Sequence, residues 1–336
     1  MSQTTTTGRV TIADIAVLAG VSVPTVSKVL NGKPGVSDAT RMRVSAMLRE
    51  HEYEPRRSTA SRLIELVFGE LSSPWSTALV VAVEEAAFER GLSVVVSRIR
   101  PDDDSWLEGV GSRSADGVVF AVVRPGGEQK RRFDELGLPA VLIDPGDASD
   151  DTDTATVGVT HWRGAYTATE HLLGLGHREI AMIAGPSEVL FSRARADGFR
   201  AAALASGVEV PEERLVFAEF GYEAGRDAGL ALLRSPNRPT AIFAASDEQA
   251  LGVYEAARQC EVRIPADLSV VGFNDVPIAQ WAAPPLTTVR EPIVDMARHA
   301  LDALLTIAAG RSAGPAVEIA TELVVRESTA APSGKR

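Results

Sequence analysis

One cysteine, Cys260, stands among 336 residues, so no disulfide can close within the chain. No Cys/His cluster surrounds it to complete a metal site, and its expected role is a small packing residue. Of the five histidines, His171 and His177 stand six apart and the others are isolated, which is no metal-ligand spacing. The sequence has no run of about 18 apolar residues, the length a membrane-spanning helix needs. Its first stretch, Met1 to Thr7, is polar and Thr-rich, without the apolar segment of a secretion signal. A cytoplasmic location and no membrane partner are therefore expected. A P-loop is also missing. The pattern nearest a dinucleotide fingerprint, Gly109-Val-Gly111-Ser-Arg-Ser114, breaks at its last position. Enzymes built on bound nucleotides lose their usual signatures, and neither catalysis nor a cofactor is expected.

Hydrophobic residues make up 45% of the chain, enough at this length to fill the cores of two or three compact units. The net charge of −11 looks wrong for a nucleic-acid partner until it is divided along the chain. Residues 1–62 hold nine Lys/Arg and five Asp/Glu, against 25 and 40 in the remainder. A basic head on an acidic body can attract phosphates while the body stays soluble.

The head reads as three short helices. Thr11 can cap a first helix whose apolar face is Ile12, Ile15, Ala16 and Ala19, and Asp14 completes a capping box. Ala19-Gly20-Val21 supplies a tight turn. Ser22 then caps a second helix carrying Val26, Val29 and Leu30, with Pro24 in the first turn, where a missing amide donor costs nothing. Asn31-Gly32 and Lys33-Pro34-Gly35 stop it, and Ser37 caps a third helix carrying Val44, Met47 and Leu48. Pro55 marks the end of this segment.

From Leu63 the pattern changes to β-branched runs alternating with longer amphipathic stretches, the signature of parallel sheets. Strands are expected at 63–68, 92–99, 117–123, 140–144, 180–184, 215–220, 240–245 and 268–273. Helices are expected at 79–90, 164–175, 194–205, 225–233 and 248–260. Eight strands in about 210 residues exceed what one sheet of five or six takes, so two similar α/β lobes are expected. A ligand cleft belongs at the C-terminal ends of such strands. The tail, residues 328–336, is short and polar and is expected to be flexible.

The segment Val10-Thr-Ile-Ala-Asp-Ile-Ala-Val-Leu-Ala-Gly-Val-Ser-Val-Pro-Thr-Val-Ser-Lys-Val-Leu-Asn-Gly32 resembles the headpiece of the lactose-repressor (LacI/GalR) family. Further matches follow in that family's order: Gly174-Leu-Gly-His-Arg-Glu-Ile-Ala-Met-Ile-Ala-Gly185, Arg195-Ala-Asp-Gly-Phe199, Ala245-Ser-Asp-Glu-Gln-Ala-Leu-Gly252, Val270-Val-Gly-Phe-Asn-Asp275 and Pro285-Leu-Thr-Thr-Val289. The resemblance runs from about residue 10 to 327, far beyond a lone short motif. It implies a transcription repressor with an all-α helix-turn-helix headpiece (1–55), a short hinge (56–62) and a two-lobed, periplasmic-binding-protein-like α/β core (63–330). Three crossings between the lobes are expected near 160, 290 and 312. Lobe 1 would then take about 63–160 and 290–312, and lobe 2 about 161–289 and 313–327. Partners implied are double-stranded operator DNA, a small-molecule effector, most often a sugar, and a second copy in a homodimer.

A recognition helix reads DNA because the side chains of its first turns reach base edges in the major groove. The family's reading positions match Val23, Pro24 and Lys28. Lys28 can donate to guanine O6 and N7, whereas Val23 and Pro24 can only pack on thymine methyls or sugar. Ser22, Thr25, Ser27 and Asn31 suit phosphate contacts, and Thr11 at a helix start can place amides on a phosphate. Ser22 and Thr25 are also ordinary capping residues. The chain departs from the family at the hinge, which is several residues short. Ala60 and Leu63 fit Ala-x-x-Leu, yet Leu63 reads as the first strand residue rather than a minor-groove wedge. Arg56, Arg57 and Arg62 instead offer charge for the minor groove or phosphates.

For the effector, charged side chains that bind paired hydroxyls and an aromatic ring that stacks on a sugar face are the chemistry required. Arg195 and Asp247 match the family's effector-binding arginine and aspartate, and Phe220 its stacking aromatic. Trp75 follows the first strand where another aromatic lines the cleft, and Asp275 lies near it. Each has a plainer alternative: Arg195 a surface ion pair, Asp247 a cap for the helix at Glu248, Phe220 a core ring. A sugar-binding transport protein shares the two-lobed body, but it needs a secretion signal and has no basic three-helix head.

Overall fold

The computed structural model describes residues 11–30, 35–51, 62–100, 103–146 and 154–333, less the side chains of Leu30, Asp38, Arg49, Glu50 and Arg62. The chain divides at residue 60 into two compact units.

The first unit holds helices α1 (Ile12–Ala19), α2 (Val23–Leu30) and α3 (Asp38–Glu50). Thr11 opens α1 with the expected capping box. Its Oγ1 accepts from the Asp14 amide at 3.3 Å, while Asp14 Oδ2 accepts from the Thr11 amide at 2.8 Å. Gly20 closes α1 at φ 62°, a left-handed conformation that a side chain would strain, and its amide donates to Ala16 and Val17. Ile15, Ala16, Ala19, Val26 and Val44 form a small core, with Ile12, Val29, Met47 and Leu48 packed at its edge.

The second unit contains two lobes. In chain order, lobe 1 runs β1 (Arg62–Phe68), α4 (Pro74–Phe88), β2 (Leu92–Arg98), α5 (Ser105–Arg113), β3 (Gly117–Ala121), α6 (Gly127–Leu136), β4 (Ala140–Ile143) and β5 (Ala155–Val159). Lobe 2 follows with α7 (His161–Gly174), β6 (Ile180–Ala184), α8 (Leu190–Ala205), β7 (Leu215–Phe217), α9 (Tyr222–Arg234), β8 (Ala241–Ala244), α10 (Asp247–Gln259), β9 (Ser269–Asn274), α11 (Ile278–Trp281) and β10 (Thr287–Arg290). The chain then returns to lobe 1 with α12 (Ile293–Ala308), which buries Met296, Ala297, Ala300, Leu301 and Leu304 against that lobe's sheet, and β11 (Val317–Ile319). It ends in lobe 2 with β12 (Glu322–Val324). The sheet orders are β11-β5-β4-β3-β1-β2 and β12-β10-β9-β8-β6-β7, and every pairing is parallel except β10 with β12. Strands β3, β6, β8 and β9 are buried at every residue, as helices on both faces of a parallel sheet require.

Three boundaries differ from the sequence expectation. The third crossing falls at Ala320–Thr321 rather than near 312, because Val317–Ile319 pairs in parallel with Val157–Val159 and stays in lobe 1. The expected flexible tail is pinned through Ala330. Ser328 is fully buried, its Oγ donates to the Val270 carbonyl at 2.6 Å, and the Ala330 amide donates to Ser269 Oγ at 3.0 Å. The first strand begins at Arg62, and Leu63 pairs in register with Ser93. The rest of the hinge, with Arg56, Arg57 and Ala60, lies outside the described residues.

Candidate functional site

Two sites emerge, one in each unit. In the first, burying Val26 turns the opening turn of α2 outward, so Ser22, Val23, Pro24 and Lys28 are exposed while Thr25 and Ser27 are half-buried. The Ser22 carbonyl accepts from the amides of Thr25 at 2.9 Å and Val26 at 3.2 Å, and the two hydroxyls of Ser22 and Thr25 lie 2.9 Å apart. Thr11 is exposed at the start of α1. Asn31, like Arg56 and Arg57, lies outside the described residues.

The second site is a cleft of about 550 Å³ between the lobes, at the C-terminal ends of their strands. Lobe 1 contributes the Phe68–Glu70 turn, Ser73 and Trp75 at the start of α4, the Val122–Val123 turn and Asp144. Lobe 2 contributes Phe191, Arg195, Glu219, Phe220, Ser246, Glu248 and Asn274, with Glu291 at the second crossing.

Arg195 organises the floor. It lies one helical turn after Phe191 on α8, so both side chains share a face. Its guanidinium carbon is 3.7 Å from the ring centroid of Phe273, 5.2 Å from Phe191 and 5.9 Å from Phe220. Nη1 donates to the Ala245 carbonyl at 2.6 Å, and Nη2 to Glu291 Oε1 at 2.7 Å. Burial pulls the guanidinium below its ordinary value, opposed by Glu291, Asp144 and Asp247, and the group stays charged. Phe191 and Phe220 stack at 5.6 Å beside it. That position of Phe220 needs Gly185, since a Cβ there would come within 2.0 Å of the ring.

His161 and Glu291 complete the network. Arg195 Nε reaches His161 Nδ1 at 3.3 Å, and arginine has no acceptor, so Nδ1 accepts and the ring proton sits on Nε2. Nε2 then donates to Asp144 Oδ1 at 3.1 Å. Glu291 Oε2 accepts from Trp75 Nε1 at 2.6 Å. The ligating atoms of Asp144, His161 and Glu291 lie within 4.8 Å of one another, a donor set that could hold a divalent ion. The Arg195 charge already neutralises Glu291 and occupies His161, which opposes a second cation there.

Sequence reasoning brought Trp75, Arg195 and Phe220 to the cleft, and they do meet there. Asp247 and Asp275 do not line it, and both expectations are corrected. Asp247 is fully buried at the start of α10, where Oδ1 accepts from Thr288 Oγ1 at 2.5 Å and Oδ2 from the Val276 amide at 2.9 Å. Its capping alternative also fails, because Ser246 caps that helix through the Gln249 amide. Burial pushes the Asp247 carboxyl up to about 8, against the lowering effect of those two hydrogen bonds. Asp275, at φ 58°, spends its carboxylate on Arg290 at 2.7 Å and Arg326 at 2.5 Å. The residues missed were Asp144, Phe191, Glu248 and Glu291, which line the cleft, and His161, which bonds to Asp144 and Arg195. Of these only Phe191 had a local signal, its four-residue spacing from Arg195. Glu248 is half-buried, and its burial, with Glu223 nearby, pushes its carboxyl up to about 7.

A three-helix unit that turns the start of its second helix outward, followed by a two-lobed core crossed three times, defines a helix-turn-helix regulator with a periplasmic-binding-like body. The family described as "Bacterial regulatory proteins, lacI family" matches residues 11–56, and the "Periplasmic binding protein-like domain" matches residues 169–329. The ribose operon repressor of Escherichia coli (strain K12) is 33% identical over 307 residues, covering 88% of this chain and 92% of its own. A solved complex of the transcriptional regulator CelR with cellobiose superposes with a TM-score of 0.73 at 33% identity, over 95% of this chain and 100% of that one. The lac repressor dimer bound to operator and the anti-inducer ONPF gives a TM-score of 0.71 at 28% identity, over 96% and 100%. The chain belongs to the lacI family of bacterial regulatory proteins, and it is a DNA-binding transcriptional regulator. The fold and family expected from the sequence are those found.

Proposed function

We propose that this regulator represses transcription by binding an operator as a homodimer, and that a sugar held in the interlobe cleft releases it. The observation that carries this reading is the prebuilt floor of the cleft. One buried arginine lies among three phenylalanine rings, beside carboxylates that can accept hydroxyl protons. Arg195, Trp75 and Phe220 hold the effector, with Phe191 extending the aromatic wall. The names of relatives that bind ribose operons or cellobiose support the sugar class.

DNA is read by Val23, Pro24 and Lys28, and positioned by Thr11, Ser22, Thr25 and Ser27, with Asn31, Arg56 and Arg57 completing the set. Exposed Val81 and Phe88 on α4 and Val96 on β2 supply apolar surface for the dimer. The protein acts in the cytoplasm, where its operator is, and it acts as a binder rather than a catalyst. Among the described residues no single helix is long and apolar enough to cross a membrane. Selection of duplexes from a random pool, followed by a sugar panel screened for release of the selected DNA, tests the reading. The expected result is an enriched, pseudo-palindromic site and at least one sugar that releases wild-type protein but not Phe220→Ala. An unenriched pool rejects the DNA function, and release of both proteins by the same sugar rejects the cleft.

A further inference from the structure

We propose that Glu291 is an internal occupant of the effector site, a positioning residue that ties the two lobes together at the angle seen in the structure until a ligand displaces it. The proposal rests on the reading that the cleft holds the effector and the start of α2 holds DNA.

Glu291 sits at the second crossing, one of three short connections about which the lobes can turn, and its amide donates to the Asn274 carbonyl at 3.2 Å. Its side chain is only 1% exposed. Each carboxylate oxygen takes a donor from a different lobe: Oε2 from Trp75 on α4, at 2.6 Å, and Oε1 from Arg195 on α8, at 2.7 Å. Trp75 and Arg195 are also donors that a ligand in this cleft could address. A sugar hydroxyl that engages either one competes with Glu291 directly. A second side-chain tie between the lobes, Asp144 to His161, hangs from the same arginine through His161 Nδ1, while the Leu190 amide donates across the lobes to the Gly146 carbonyl at 2.8 Å without involving Arg195. A ligand that draws Arg195 away therefore loosens both side-chain ties at once and leaves the backbone bond between Leu190 and Gly146.

Bonds to a buried carboxylate are charge-assisted and among the stronger ones. Breaking the Trp75 bond leaves an acceptor short of a donor out of water, so the tied angle is favoured as long as the cleft is empty. A change in lobe angle is what the headpieces of a dimer would feel, and a ligand can shift it only by its differential affinity for the two angles. Glu291 sets part of that difference.

The test uses full-length protein, an operator selected by the wild type, and no effector. Trp75→Phe removes the indole donor and keeps an aromatic ring. Glu291→Gln keeps the shape, but its amide can accept from only one of the two donors and faces the other with a donor of its own. Each variant is expected to bind the operator about tenfold more weakly, which corresponds to about 1.4 kcal/mol. The double variant should lose clearly less than the sum of the two single losses, because both variants act on the Trp75–Glu291 bond. Small-angle scattering of each variant should show a broader distribution of lobe separations than the wild type. Losses that add in the double variant indicate two independent structural defects and overturn the proposal, as do affinities within twofold of wild type in both single variants. If the wild type selects no operator, the DNA-binding reading fails instead.

Discussion

The guanidinium carbon of Arg195 lies 3.7 Å from the ring centroid of Phe273, so this cleft-lining arginine rests on the core of lobe 2 rather than reaching in from the surface. That placement gives Arg195 a structural role in addition to its place in the cleft lining. Arg195→Ala leaves Glu291 buried without its ion pair and is expected to cost the core about 3–5 kcal/mol in urea unfolding. Arg195→Lys can still reach one partner but cannot span Glu291 and the Ala245 carbonyl, so a loss of about 1.5–3 kcal/mol is expected. A lysine variant as stable as the wild type would show that the fork geometry contributes nothing.

Asp247 gives the core a pH dependence of definite sign. Its carboxyl, ordinarily at 3.8, is raised to about 8 by burial, so between those values the folded protein holds a proton that the unfolded chain has released. Its stabilising contribution is complete below about 4 and is lost as pH rises towards 8, with a slope of at most about 1.4 kcal/mol per unit. Asp247→Asn can accept from the Val276 amide and donate to Thr288 while carrying no titratable proton. Chemical unfolding of both proteins from pH 5 to 8 should show the wild type weakening relative to the variant. Parallel pH profiles would assign the slope to other groups.

The parallel strands were legible because burial on both faces writes them as continuous apolar runs, as in Ile180–Ala184. Other elements leave no such mark. Helix α6 buries only Phe133 and is lined with ion pairs from Arg131 to Glu128 and Glu135, so it has no apolar stripe to find. Strands β11 and β12 have three residues each, too few to display an alternation. In the cleft, Arg195, Trp75 and Phe220 were accessible through the family resemblance, but Glu291 takes its partners from 216 and 96 residues away. Nothing local to Glu291 announces that meeting. Asp247 failed for the same reason: an aspartate at a helix start reads alike whether it faces a ligand or Thr288, 41 residues further on.

Gly185 is the position where the aromatic wall can be disturbed most directly. An added Cβ would fall 2.0 Å from Cζ of Phe220, and the ring is the part that can move. Gly185→Ala should displace Phe220 from its stack on Phe191, at a cost of about 1–3 kcal/mol in stability. The sugar that releases wild-type protein should bind the variant at least about tenfold more weakly by calorimetry, a loss of about 1.4 kcal/mol. Effector-free operator binding should change little, since the start of α2 belongs to the other compact unit. Unaltered sugar affinity would remove Phe220 from the effector contacts.

Lys28 is the one charged side chain among the exposed positions of α2 proposed to read DNA, and two kinds of DNA contact are open to it. A lysine on guanine O6 and N7 discriminates one base pair by about 1–3 kcal/mol, whereas a lysine on phosphate strengthens all sequences alike. Lys28→Ala is therefore expected to relax preference at one symmetric position of the selected operator, while Val23, 40% exposed, keeps an apolar preference at its neighbour. Salt titration separates the two contacts. A phosphate contact contributes about 0.9 to the slope of log affinity against log salt for each head, and a pure base contact contributes far less. If Lys28→Ala lowered that slope while leaving the sequence preference intact, Lys28 would join Ser22 as a positioning residue. Sequence would then be read through apolar contacts at Val23 and Pro24, with no direct hydrogen bond from this turn.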